Sequence, residues 1–495
     1  MRARSFGIVL GALAYGTALA FVRAEPRWNG DQGVFLSIAA RMLDGDRLYA
    51  DVIDNKDPLF FYAHAGALWI GGWKGPAALD ALWLGVAALS FALLVRELGA
   101  PSSAVVAGFL MYPLALTASW YEPGLTMLGG LALAPLVGWL WLRGRFAFAG
   151  AVLAVVVLFK ITVGLVALAS VAALLLMAVP DGSRLRHVTR AAMGLVGTVS
   201  VAVAFLAVRG ELVRYVEVLS FNVRYPDAAR RAQGGTGGVG SHLAVIREFF
   251  LQSGRWQWPL AIASLVVLVA AVALAWRKGG PAFRRLAAVA VTTSLGALVT
   301  LALTAIWTHH LQMLALAAVL IAVVVISATA VRLGARSGVA VAAALVAFAL
   351  WGSLKHEKDW RPGKAWESGR SSVGADLLEK ARTRFYPHAD RVPYIVFGSN
   401  SENAHAVFID SSFELECRWF HLYPNNAAEH LAETLDCAEA KRPELVLVTV
   451  GFFEPRAGGH AWEDFVSGAR ALLESEYVKV GDQDMFQVWR RGASA

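Results

Sequence analysis

Apolar residues along this chain fall into long, nearly uncharged runs, not into the alternation or narrow stripes of a water-soluble fold. A bilayer core takes roughly 17–25 apolar residues per helix. Runs of that kind lie at 5–22, 78–96, 102–119, 124–142, 190–208, 258–276, 285–306, 309–330 and 336–353. The stretch 146–179 is too long for one crossing and carries Lys160 near its middle, so it reads as two helices turning back at that lysine. The pattern therefore predicts a mainly α-helical, polytopic membrane bundle of about eleven spans over residues 1–353.

Two segments of that region break the apolar pattern. Residues 23–77 form a long polar loop in which Phe35, Ile38, Ala39 and Met42 recur at helical spacing, predicting a helix over 31–43 along the membrane surface. A second helix, too short to cross, is predicted over 59–72 after Pro58. Segment 209–257 carries Arg214, Arg224, Arg230, Arg231, Arg247 and Arg255 and the Gly-rich run 234–240, and reads as a mobile lid. After residue 354 the pattern turns to that of a soluble unit. Strands are predicted at 393–398, 444–450 and 485–490 and helices at 426–439 and 460–476, which together make a small α/β domain over 354–495. Its turn Gly398-Ser399-Asn400 belongs to no G-x-G-x-x-G or G-K-[ST] pattern, so a nucleotide-phosphate cradle is not expected there.

Charge fixes an orientation, because Lys and Arg collect on the cytoplasmic side. With the N-terminus inside, the cytoplasmic segments hold Arg2, Arg4, Arg96, Arg143, Arg145, Arg184, Arg186, Arg190, Arg277, Lys278, Arg284, Arg285, Arg332 and Arg336, against Glu97 and Asp181. Segments 23–77, 119–123, 209–257 and 354–495 then face outward, and the C-terminal domain is extracytoplasmic. The first run also fits a cleaved signal peptide, with Arg2 and Arg4 ahead of an apolar stretch ending Ala18-Leu19-Ala20; the orientation downstream is the same.

Composition agrees: 57% of the 495 residues are hydrophobic and 17% charged, with a mean hydropathy of +0.53. The net charge of +8 is scattered in short clusters between apolar runs, so nucleic acid is not an expected partner. Cys417 and Cys437 are the only cysteines, both in the external domain, which permits one disulfide and excludes a disulfide framework or a cysteine-based zinc site.

The candidate chemistry lies at the outer face. The first loop holds Asp31, Asp44, Asp46, Asp51, Asp54 and Asp57, with Lys56 among the last three. Asp44-Gly45-Asp46 reads as a turn. Asp31 opens the 31–43 helix, where it serves equally as an N-cap or as a carboxylate at the lipid boundary. Trp28-Asn29-Gly30-Asp31-Gln32-Gly33, then Arg41 through Asp51, then Asn55-Lys56-Asp57-Pro58-Leu59 resembles the first external loop of GT-C fold membrane glycosyltransferases. The nearest branch is similar to the bacterial relatives of protein mannosyltransferases and of the lipid A aminoarabinose transferase, the glycosyltransferase family 39-like group. Asp57 departs from that pattern by standing where the first proline of a Lys-Pro-Pro-Leu-like motif is usual.

The resemblance implies a polyprenyl-phosphate sugar donor, a lipid, glycan or protein acceptor, and inversion at the anomeric carbon. It implies Asp31 as the general base, with Glu122 of Trp120-Tyr121-Glu122-Pro123 as a second acidic residue. It also implies cations on the leaving lipid phosphate: Lys56 first, then His309 and His310, with Lys160 and Arg224 as further candidates. Asp54, Tyr62 and Tyr121 are candidate substrate contacts. Plainer roles stand beside these: a snorkelling Lys56 or Lys160, and Glu122 as a charge at a helix start. Asp31, Asp51, Asp54 and Glu122 offer oxygen ligands for magnesium or manganese, without a recognised metal-loop spacing. Two other functions fit many spans: a transporter or lipid flippase, whose sites sit at midplane within internal repeats not found here, and a non-catalytic scaffold, which leaves the acidic loop unexplained. The location expected is the bacterial cytoplasmic membrane.

Overall fold

A computed structural model of the chain describes residues 2–23, 31–118, 126–178, 183–232, 273, 279–303, 312–355, 373–397, 413–418, 428–449, 452, 459–483 and 486–492. The membrane region is built from helices α1 (Arg2–Arg23), α2 (Asp31–Leu43), α3 (Pro58–Gly71), α4 (Gly75–Glu97), α5 (Ser102–Ala118), α6 (Met127–Leu142), α7 (Phe146–Phe159), α8 (Ile161–Ala178), α9 (Arg184–Val208), α10 (Leu212–Ala232), α11 (Pro281–Leu303), α12 (Met313–Leu333) and α13 (Ala335–Lys355). A helix stands at each predicted apolar run except 258–276, of which only residue 273 is described. Of these, α4, α9, α11 and α12 are long and apolar enough to cross a membrane; α1, α5, α6, α7, α8 and α13 are apolar over shorter stretches.

Lipid-facing helices gain nothing from burying apolar side chains against one another, so small residues and polar bonds must hold them. Gly16 of α1 meets Gly85 of α4 so closely that a Cβ on Gly16 would lie 2.3 Å from the Ala81 carbonyl oxygen. Gly150 of α7 and Gly194 of α9 repeat the device, each Cβ position 1.8 Å from a backbone oxygen of the other helix. Hydroxyls supply the polar bonds. Ser90 donates to the Ala132 carbonyl at 2.7 Å, Tyr112 to the Leu131 carbonyl at 2.7 Å, and Ser170 lies 2.6 Å from the Thr293 hydroxyl.

The chain breaks between α7 and α8 where the sequence predicts. Lys160 is extended (φ −163°, ψ 110°), and its carbonyl accepts the N–H groups of Val163 and Gly164, opening α8.

The C-terminal region adds α14 (Val373–Phe385), β1 (Val392–Phe397), β2 (Phe413–Leu415), α15 (Ala428–Lys441), β3 (Leu445–Thr449), α16 (Gly459–Glu476), β4 (Tyr477–Gln483) and β5 (Phe486–Arg491). The sheet order is β2-β1-β3-β5-β4. β1 pairs in parallel with β2 and β3, in register Val392 to Phe413 and Tyr394 to Leu445. β5 pairs antiparallel with β3 and β4, Leu447 facing Val488. Central β3 is buried at every position, as a strand covered on both faces must be. Phe452, Trp462 and Phe465 pack around Phe397. Cys417 and Cys437 are disulfide-bonded, Cα to Cα 6.0 Å, tying the β2 end to α15.

Two expectations are corrected. The apolar stripe of α2 is not laid on lipid: Phe35, Ile38 and Ala39 are fully buried in one cluster with α3 and the C-terminal sheet. Protein covers that stripe. Within 209–257, residues 212–232 form a regular helix bonded to the first loop, not a lid, because its buried face is supplied with polar partners described below. The rest of that segment, including the Gly-rich run, lies outside the described residues.

Candidate functional site

Residues 44–57 fold into a compact polar knot between α2 and α3. Gly45 (φ 109°) and Tyr49 (φ 66°) take left-handed conformations that turn the chain twice. Strain of that kind in a bulky residue persists only where its surroundings impose it, and Tyr49 is pinned. Its N–H donates to the Val52 carbonyl at 2.6 Å, its hydroxyl donates to the Lys56 carbonyl at 2.7 Å, and its ring stacks on Tyr215 at 5.2 Å. Arg47 grips Asp51 with a guanidinium fork, both contacts 3.0 Å, which holds the Asp51 carboxyl below its ordinary pKa.

Lys56 sits at the centre of this knot. Its backbone N–H donates to Asp54 Oδ1 at 3.1 Å, its Nζ lies 3.5 Å from the same carboxylate and bonds the Asn55 side-chain oxygen. The ammonium also stands 5.4 Å from the centroid of the Phe35 ring, within the range of a cation–π contact. The side chain is 17% exposed, so a snorkelling surface lysine is not what is observed.

The residue that departs from the family pattern, Asp57, has a role of its own. It is buried, with Oδ1 accepting the Tyr215 hydroxyl at 2.9 Å and Oδ2 accepting the Ile161 N–H at 3.3 Å. It therefore caps the N-terminus of α8 from another segment, where the helix dipole favours a carboxylate. Burial pushes its pKa up, while Lys160, the Tyr215 and Ile161 donors and Lys56 act in the opposite direction. Lys160 thus has its charge beside Asp57.

A second buried carboxylate, Glu211, fastens the knot from the α9–α10 turn. It accepts the Leu48 N–H at 3.1 Å, the Tyr62 hydroxyl at 2.5 Å and Arg209 Nε at 3.2 Å. Burial and Glu211 together raise the Tyr62 pKa. Farther along α10, the Asn222 amide donates to the Asn55 carbonyl at 2.8 Å.

The sequence-predicted residues Lys56, Asp54, Lys160 and Tyr62 therefore meet around the knot through Asp57 and Glu211. Asp31 is the first residue of α2 and Arg224 lies within α10, with neither side chain described. Tyr121, Glu122, His309 and His310 lie outside the described residues. Glu211, Tyr215 and Asn222 were not anticipated; their spacing, with buried Val218, is that of one helical face and was the available signal. For a divalent metal, Asp51 and Asp54 already face Arg47 and Lys56, and the described residues contain no group of three or more His, Cys, Asp or Glu side chains.

A polar cavity of about 450 Å³ opens between this loop and the C-terminal domain, lined by Arg41, Asp46 and Asp51 on one side and Glu416, Arg418 and Glu433 on the other. Lys56 and Asp57 do not line it. The loop is docked on that domain by the Ile53 N–H, which donates to the Arg418 carbonyl at 2.9 Å.

Compared with known proteins, the chain matches no protein-family model and none of the curated proteins. Among solved structures it is similar to the oligosaccharyltransferase of Archaeoglobus fulgidus, determined with a tethered acceptor peptide containing the NVT sequon. Identity is 13%, and the match covers 99% of this chain and 74% of the other with a TM-score of 0.51. The chain shares the GT-C type of fold with that protein.

Proposed function

We propose that the protein is a glycosyltransferase that moves a sugar from a polyprenyl-phosphate donor to a lipid, glycan or protein acceptor at the outer face of a bacterial cytoplasmic membrane. The observation that carries this reading is the fold shared with an oligosaccharyltransferase along 99% of the chain. The enclosed, paired lysine of the first loop supports it from the side of the chemistry. About eleven spans and an extracytoplasmic C-terminal domain complete the layout we infer.

In this reading Asp31 takes the proton from an acceptor hydroxyl or amine while that atom attacks the anomeric carbon. The bond from the anomeric carbon to the phosphate oxygen breaks, the electron pair leaves with the lipid phosphate, and the configuration inverts. Charge grows on the departing phosphate, so a fixed cation is most effective there. Lys56 has that role, with Lys160, Arg224, His309 and His310 as further cations. Glu122 orients the acceptor beside Asp31. Asp54, Tyr121 and the ring of Tyr62 border the sugar.

The test is conversion. Purified protein in lipid is given a panel of radiolabelled polyprenyl-phosphate sugars and membrane-extract acceptors. Label appearing on the acceptor, with free polyprenyl phosphate released, is the expected outcome. Reorientation of intact donor across the bilayer without its consumption would instead make the protein a flippase.

A further inference from the structure

We propose that α10 is a clamp that positions the Lys56 loop, with Tyr215 and Glu211 as its positioning residues. The inference deepens the reading above and rests on Lys56 meeting the donor phosphate.

The loop cannot place Lys56 by itself. Its own bonds are short-range: Arg47 with Asp51, Tyr49 with Val52 and Lys56, and Asp54 with Lys56. Buried Leu48, Val52 and Ile53 and the bond from the Ile53 N–H to Arg418 seat the knot on the core and the C-terminal domain, but none of these holds the backbone on either side of Lys56. α10 and the turn before it do so, at three places along one helical face. Glu211 holds the Leu48 N–H at the start of the loop. Tyr215 stacks on Tyr49 in the middle and donates to Asp57, the residue next to Lys56. Asn222 holds the Asn55 carbonyl on the other side of Lys56. The backbone on both sides of the lysine is therefore tied to α10, and through Asp57 to the start of α8.

The polar character of the clamp suits precision better than stability. A buried carboxylate with three donors is costly to desolvate and gives little net stability over an apolar contact, but its bonds are directional and fix distance and angle. Misplacing a catalytic contact by about 1 Å lowers rate on the order of 100-fold. The same helix also reaches the C-terminal domain, where Phe221 lies 5.0 Å from the His430 ring.

Two measurements on the full-length protein in detergent test this. The first is amide hydrogen exchange over residues 48–57 without any ligand. Tyr215→Phe keeps the ring stacked on Tyr49 and removes only the hydroxyl, and Glu211→Gln keeps an acceptor for Leu48; both are expected to raise exchange in this segment above any rise elsewhere in the bundle, with a fall in the thermal midpoint because each leaves a buried polar group short of a partner. The second is binding of farnesyl phosphate, with farnesol as the uncharged control, to wild type, Lys56→Ala, Tyr215→Phe and the double variant. Lys56→Ala is expected to weaken farnesyl phosphate binding about tenfold or more and Tyr215→Phe about three- to tenfold. The double variant should bind no more weakly than Lys56→Ala alone, because Tyr215 acts through Lys56.

Unchanged exchange at 48–57 in both α10 variants overturns the clamp, and so do additive losses in the double variant. Raised exchange together with wild-type binding by Lys56→Ala overturns the donor-phosphate reading of Lys56, and with it the functional half of this inference. Farnesol is expected to bind all four proteins alike and weakly; binding of farnesol to wild type as tight as that of farnesyl phosphate would count against phosphate recognition in the same way.

Discussion

Asp57 is a carboxylate in an apolar setting with every oxygen occupied, and its titration follows from that. Its pKa is raised, so the folded protein binds this proton more tightly than the unfolded chain does. Its contribution to stability is complete below the ordinary carboxylate range and is lost as pH rises through the raised value. Asp51 has the opposite sign: its pKa is lowered by Arg47, and its contribution is present above the ordinary range and lost as pH falls. Thermal melts between about pH 3 and 8 should show Asp57→Asn declining less than wild type as pH rises, and Asp51→Asn losing less on acidification. Identical profiles for all three proteins would contradict both assignments. For Lys56, replacing the ammonium proposed to offset the leaving phosphate should lower kcat/KM by about 100-fold in Lys56→Ala, with Lys56→Arg retaining part of the activity.

Between elements, close approach and cross-linking dominate. A Val at Gly150 or Gly194 would drive a methyl into the facing backbone and separate α7 from α9, at a cost on the order of 1–3 kcal/mol; thermal unfolding in detergent reads this directly. Cys417 and Cys437 close a short loop, 20 residues apart in sequence. Replacing both by Ser should cost about 3 kcal/mol of C-terminal domain stability and leave the helix bundle intact by circular dichroism. The elements themselves differ in how legible they are. The apolar runs read directly because a helix satisfies its backbone in lipid within one continuous segment, and Lys160 marked the α7–α8 break. Strands β1, β3 and β5 are apolar and read as such, whereas β2 is three residues long and β4 begins Tyr477-Val478-Lys479 as a polar edge strand. α10 escaped because the face that it and the turn before it turn to the loop carries Glu211, Tyr215 and Asn222, whose loop partners lie over 140 residues away in the chain. The helical spacing of these residues was the available signal, but polar residues at that spacing read equally as solvated surface.

At the scale of the molecule, a bundle held by small residues and hydroxyls carries a polar knot between α2 and α3. A helix on one side and a disulfide-bonded α/β domain on the other brace that knot. On the proposed function, this assembly transfers sugar with Asp31 as base. The most direct measurement is sugar transfer by the purified protein in lipid from radiolabelled polyprenyl-phosphate donors, with Asp31→Asn assayed beside it. Transfer by wild type is expected, with a loss on the order of 100- to 10,000-fold in the variant and folding and donor binding retained. Full transfer by Asp31→Asn would contradict the base assignment, and failure of wild type to consume any donor would contradict the enzyme itself.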